Sequence, residues 1–190
     1  MGEAPLINLE RKHLADIFIS HIAEEAHIAG ALVRFLREFQ LESFVSSDQW
    51  QLKAGERWFE RVIQELDAAK VVILLLSESS AVRPWINFEG GYAWASPKKK
   101  VIPLCIGNLK KGEMPRPYSD LQGLNLRTDY YHLVRNCLEY VKDDGRPSWD
   151  PVPFPSDDKR VKPLLDELDR FAPRFSEEAL KILGSGKRSS

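Results

Sequence analysis

Val71-Val72-Ile73-Leu74-Leu75-Leu76 is apolar at all six positions, and it constrains the fold more than any other stretch. A strand with one wet face alternates apolar and polar residues. A strand with no polar position is covered on both faces, as in the middle of a parallel sheet. Covering both faces takes helices, and the neighbouring sequence supplies them. Asp16 to Ser20 is a second short apolar run closed by polar residues. Ile22, Ala26, Ala29, Val33 and Leu36 then fall at steps of four, three, four and three, which is one face of a helix. Glu42 to Ser46 reads as another strand, Ser46 to Gly55 as a polar loop, and Glu56 to Ala69 as a helix with Trp58, Val62, Leu66 and Ala69 on one side.

Pro84 suits the first turn of a helix running to about Ser96. Val101 to Ile106 is a further strand and Gly123 to Arg127 a weaker one; Thr128 is placed to cap a helix through Val141. Alternating strands and helices predict an α/β fold: five mainly parallel strands in the order 2-1-3-4-5, with helices on both faces. This domain spans residues 14–142, after an N-terminal extension of residues 1–13. The last 48 residues, 143–190, hold six of the twelve prolines and read as an extended connector followed by a helical tail. Leu164, Leu165, Leu168 and Phe171 mark one short helix there, and Glu177 to Leu183 another; Gly184 to Ser190 is expected to be disordered. The tail is read as an accessory packing on the domain or on a neighbour.

Composition removes several function classes. With 27 Lys plus Arg against 28 Asp plus Glu the net charge is −1, so bulk positive charge is not available for nucleic acid. The longest apolar run has six residues where a membrane span needs roughly 20. Met1 to Glu10 carries acids and no apolar core of a secretory signal, so a cytoplasmic location is expected. Cys105 and Cys137 make no disulfide scaffold, and four scattered histidines give no metal-ligand spacing.

Open α/β sheets bind ligands beyond the carboxyl ends of their strands. Three polar clusters converge there: Ser20-His21, Ser46-Ser47-Asp48 and Ser77-Glu78-Ser79-Ser80. Such residues can hold ribose or phosphate oxygens, and they equally serve as turn and cap residues. Neither GxGxxG nor GxxxxGK[ST] is present, which argues against a resident dinucleotide cofactor or a P-loop nucleotide.

The stretch Arg83-Pro84-Trp85-Ile86-Asn87-Phe88-Glu89-Gly90-Gly91-Tyr92 is the most unusual. Trp85 and Glu89 are four residues apart and share a helix face. Two glycines in a helix interior cost about 1 kcal/mol each relative to Ala, so close packing or a ligand should compensate. A carboxylate near a helix start beside an aromatic ring suits cleavage of an N-glycosidic bond: the ring stacks on a base and the anion stabilises an oxocarbenium-like transition state. On pattern alone, Glu89 reads as a solvated helix residue and Trp85 as a core aromatic.

Taken together, Asp16-Ile17-Phe18-Ile19-Ser20-His21, Leu52-Lys53-Ala54-Gly55-Glu56-Arg57-Trp58, Val72 to Ser77 and Trp85-Ile86-Asn87-Phe88-Glu89 resemble a TIR (Toll/interleukin receptor) domain, most of all its stand-alone prokaryotic members. The likeness covers residues 14–142, and its most specific element is Trp85-x-x-x-Glu89. One departure is Ala54-Gly55, where many members have Pro-Gly. The resemblance implies a flavodoxin-like fold and, in enzymatic members, cleavage of NAD+ at the nicotinamide–ribose bond to ADP-ribose or a cyclic isomer. It further implies antiphage defence signalling as the setting, with a separate sensor or effector protein as partner.

Carried over by position, the resemblance implies Glu89 as the catalytic carboxylate and Trp85 as its aromatic companion. Ser20 and His21 fall on the loop facing the nucleotide, and Ser46 to Gly55 on the loop that mediates self-association and covers the site. Asp48, Trp50, Phe88 and Ser77 complete the candidate substrate-binding set. Each has a plainer reading: Asp48 and Ser77 as turn residues, Trp50 as a packing residue, Phe88 with Tyr92 as core or pocket wall. NAD+ would be substrate; no permanently bound cofactor and no metal are expected. Two rival functions are a non-enzymatic TIR scaffold and a nucleoside deoxyribosyltransferase-like enzyme, whose catalytic Glu also precedes a Gly/Ala-rich helix.

Overall fold

All six side chains of Val71–Leu76 are fully buried, and their alternation divides them between two cores. The computed structural model describes residues 14–47, 56–141 and 159–171. In chain order its main elements are β1 (Ile17–His21), α1 (Ala26–Arg37), β2 (Ser43–Ser47), α2 (Glu56–Ala68), β3 (Val71–Leu76), α3 (Pro84–Trp94), β4 (Lys100–Cys105), β5 (Leu124–Asn125), α4 (Leu126–Val141) and α5 (Lys162–Arg170). The sheet order is β2-β1-β3-β4-β5, with every neighbouring pair parallel. This is the predicted order, with β3 at the centre.

Successive strand side chains point to opposite faces. Val71, Ile73 and Leu75 therefore join Ile17 and Ile19 in the core under α1 and α4. Val72, Leu74 and Leu76 join Phe18 in the core under α2 and α3, with Val62, Leu66, Ile86 and Ala93. Burying each large aliphatic side chain is worth roughly 1.5–3 kcal/mol, so both layers are held firmly to one rigid sheet.

Helix α1 ends in a Schellman turn: Gln40 adopts φ 58°, its amide donates to the Arg37 carbonyl at 2.9 Å, and the Leu41 amide donates to Leu36 at 3.2 Å. This turn starts β2 in register with β1. The C-terminal α5 packs Leu164 and Leu168 into the core shared by α1 and α4, and Arg127 donates to Asp169 at 2.7 Å. The expected helix at Leu164 to Phe171 is thus present and lies on the domain.

Two expectations fail at the far edge. β5 is only Leu124–Asn125, and α4 begins at Leu126, so Thr128 is not its N-cap. Asp129 departs from helical geometry (φ −112°, ψ 15°), and its carboxylate accepts from the Asn125 amide at 2.9 Å and from Lys111 at 2.8 Å. That carboxylate, rather than the Thr128 hydroxyl, ties the helix start to the strand. The expected helix near Glu177, the terminal segment and the N-terminal extension lie outside the described residues.

Candidate active site

Strand parity brings the central side chains together. On β1, Phe18 and Ser20 face the α2–α3 layer; on β2, Phe44 and Ser46 do the same. Phe18 is register partner of Phe44, with ring centroids 5.5 Å apart, and Ser20 is register partner of Ser46. One step beyond an aromatic pair, the sheet thus presents two hydroxyls side by side.

Helix α3 approaches them from above, with Ile86, Glu89, Gly90 and Ala93 as its buried residues. A Cβ on Gly90 would stand 2.8 Å from Leu74 Cδ1 and 3.5 Å from Tyr118 Cε1, so the missing side chain lets the helix seat on β3. Close packing therefore explains the cost of Gly90. Gly91 is exposed, and a Cβ there would meet nothing within 4 Å.

The Glu89 carboxylate has no solvent exposure. Ser46 Oγ donates to its Oε1 at 2.5 Å, and Ser20 Oγ donates to its Oε2. Trp85 Nε1 donates in turn to Ser46 Oγ at 3.4 Å, forming a relay from indole to hydroxyl to carboxylate. A buried carboxylate without donors would be costly; here both oxygens have one. Glu89 is the sixth residue of α3, beyond the first turn where the helix dipole acts, so hydroxyls and not the dipole support it. Below it, Tyr118 donates to Asn87 Oδ1 at 2.5 Å. Burial first, and the Glu89 charge second, push the Tyr118 phenol above its ordinary range.

Outward from this centre runs a ridge of aromatic rings. Trp85 is half-buried and lies 5.5 Å from Phe88 and 6.4 Å from Phe59; Phe88 lies 6.1 Å from Tyr92. Phe88, Tyr92 and Phe59 are exposed, so the core reading of Phe88 and Tyr92 is corrected: they stand on the outer side of α3.

The remaining candidates separate. His21 ends β1 and is buried, and alternation turns it to the face opposite Ser20. The Ser77 amide donates to Ser80 Oγ at 2.7 Å and the Ser80 amide donates to Ser77 Oγ at 3.2 Å, a reciprocal pair that closes the turn after β3. Asp48 and Trp50 lie outside the described residues. Tyr118 neighbours Glu89 without having been singled out from the sequence, whereas Ser46, named there only as part of a polar cluster, is a direct partner of Glu89. Parity with Phe44 was the available signal for Ser46; nothing local marks Tyr118.

A second buried acid, Glu25, was also passed over. Its Oε2 accepts from the Ile22 amide at 3.2 Å, while Oε1 has no partner within hydrogen-bond distance among the described residues. Burial pushes it up to about 7, against the opposing pull of the Ser77 and Ser80 hydroxyls and the Ile22 amide. The signal was an acid three residues past the helix-entry position, the reciprocal half of a capping box.

Among the described residues, no cluster of three or more His, Cys, Asp or Glu could hold a metal ion, and no helix is long and apolar enough to cross a membrane. Burial pushes the Cys105 thiol up to about 11 and Cys137 up to about 12, leaving both as small apolar groups. No curated protein matches the chain. The family model described as TIR domain matches residues 17–136, a stretch that holds all five strands, Ser20, Ser46, Trp85 and Glu89. By that match, and by its 2-1-3-4-5 parallel sheet, the chain belongs to the TIR domain family.

Proposed function

We propose that the chain is an NAD+ glycohydrolase or ADP-ribosyl cyclase. The observation that carries this reading is Glu89, fully buried at the carboxyl edge of the sheet, with a hydroxyl on each oxygen and Trp85 one link away. In the proposed reaction the C–N bond between nicotinamide and its ribose breaks, and both bonding electrons leave with nicotinamide. Positive charge then develops on the ribose, and a carboxylate fixed before the reaction stabilises it without solvent reorganisation. Water captures the cation, with loss of a proton, to give ADP-ribose; capture by an atom of the same molecule gives a cyclic product. Exclusion of water selects between these outcomes.

The carboxylate is closed off here, so turnover requires Ser46 and Trp85 to yield it to a ribose hydroxyl. Self-association through the segment from Ser46 to Gly55 would supply that step and water exclusion. On this reading NAD+ is substrate rather than cofactor, and the protein works in the cytoplasm. There it serves prokaryotic antiphage signalling with a separate sensor or effector protein.

The same closure favours a second reading, a non-enzymatic scaffold in which Glu89 is a clasp joining α3 to β1 and β2. Incubating concentrated protein with NAD+, with and without a crowding agent, and quantifying nicotinamide separates the two. Release by wild type and its loss in Glu89→Gln supports the enzyme; no release from wild type leaves the scaffold. Base exchange on deoxyribonucleosides without action on NAD+ would instead indicate a nucleoside deoxyribosyltransferase-like enzyme.

A further inference from the structure

In a sheet ordered 2-1-3-4-5, the connections leaving β1 and β3 run to opposite faces, and a crevice opens between them. Here that crevice is a cavity of about 370 Å³. Ile22 and His27 line it from the β1 side, Ser77 and Ser79 from the β3 side. Glu24 lines it too, and a further wall comes from outside the stretch matched by the TIR domain family: Arg170 and Phe171, at the end of α5.

α5 is anchored, since Leu164 and Leu168 sit in the core. Arg170 is steadied by Glu167 at 3.1 Å. The Phe171 ring lies 5.8 Å from the His27 ring, tilted by 44°, and the two give the crevice an aromatic side. The one carboxylate lining the cavity among the described residues, Glu24, is paired with Arg83 at 3.5 Å. A guanidinium, two serines and an aromatic wall suit a phosphate-bearing nucleotide: Arg forks match phosphate oxygens and rings stack on bases. The volume falls in the range of small-ligand sites.

The crevice and the Glu89 site share the carboxyl end of β1. Ile22 lies two residues beyond Ser20, about 7 Å at strand spacing, and Ser20 donates to Glu89. A dinucleotide whose nicotinamide ribose engages Glu89 carries its second nucleotide a pyrophosphate away, on the scale of this separation.

We propose that α5 completes a subsite for the adenylate end of the dinucleotide, with Arg170 on the phosphates and Phe171 beside the base. The proposal rests on the reading of Glu89 as the reacting carboxylate. The tail is thereby a specificity element of the site rather than an appendage.

Calorimetric titration with ADP, which contains no bond to be cleaved, tests the subsite by itself. Wild type and Glu89→Gln should bind ADP equally, and Arg170→Ala and Phe171→Leu roughly fivefold or more weakly. Circular dichroism checks that both variants remain folded. With NAD+, Arg170→Ala should raise KM by a similar factor and leave kcat within about twofold. Failure of wild type to bind ADP, or equal binding by Arg170→Ala, overturns the subsite. Failure of wild type to cleave NAD+ overturns the reading of Glu89 instead, and the ADP titration then still decides the crevice.

Discussion

Two glutamates lie buried at the same edge of the sheet, and their surroundings divide their chemistry. Glu89 and Glu25 both have zero exposure. Glu89 receives a hydroxyl on each oxygen, whereas Glu25 receives the Ile22 amide at 3.2 Å and a pull from the Ser77 and Ser80 hydroxyls that burial outweighs. Burial alone favours the neutral acid, and donors favour the anion. Burial pushes Glu25 up to about 7 in spite of those donors. The difference teaches that burial at a strand edge does not by itself set how a carboxylate is held; the donors that reach it do.

The sharpest way to break this contrast is to neutralise each acid in turn. Glu89→Gln should lower nicotinamide release from NAD+ roughly a hundredfold or more while circular dichroism stays native. Glu25→Gln should leave turnover near wild type. Equal losses in the two variants would erase the distinction.

Next in size is a stability effect confined to Glu25. Its folded-state value, about 7, lies above the ordinary 4.5. The stability it contributes is therefore complete below about 4.5 and is lost as pH rises through about 7, a change on the order of 3 kcal/mol. Urea denaturation of wild type and Glu25→Gln across this window should show a falling wild-type profile and a flatter variant; parallel profiles would contradict it.

Removing donors tests the other half. Ser20→Ala and Ser46→Ala should each cost about 1–3 kcal/mol in denaturant, because a buried carboxylate oxygen loses its partner. The acidic limb of the rate profile should also move to higher pH, since the lost hydroxyls favour the anion. Ser77→Ala, whose hydroxyl serves the turn after β3, Glu25 and the crevice rather than Glu89, should leave that limb in place.

The smallest effects separate adjacent glycines. Gly90→Ala should cost about 1–3 kcal/mol and reduce turnover, because its Cβ presses Leu74 and lifts Glu89 from its hydroxyls. Gly91→Ala meets open space and should gain up to about 1 kcal/mol in thermal or denaturant unfolding.

How legible this was depended on periodicity. The unbroken run Val71–Leu76 announced a central strand because two covered faces leave no polar position, and Trp85 to Glu89 spacing put both on one helix. Strand alternation could equally have turned Ser46 toward Glu89, but its place at the start of a polar loop hid that role. Tyr118 reaches Asn87 from a segment 31 residues away, a closure no local pattern encodes. Gly90 and Gly91 read alike in sequence; only the side chain of Leu74 tells them apart. Thr128 failed as a cap because a long-range lysine, Lys111, holds Asp129 where the helix begins.

The Schellman turn at Gln40 has a consequence for variation in chain length. Deleting or inserting one residue between that turn and Ser46 would rotate the end of β2 by a half-period, trading Phe44 and Ser46 for their neighbours. The domain could still assemble its layers, yet Glu89 would lose a ligand to its charge outright. Natural length changes are therefore tolerable here only in pairs, so this short segment should behave as a counted spacer.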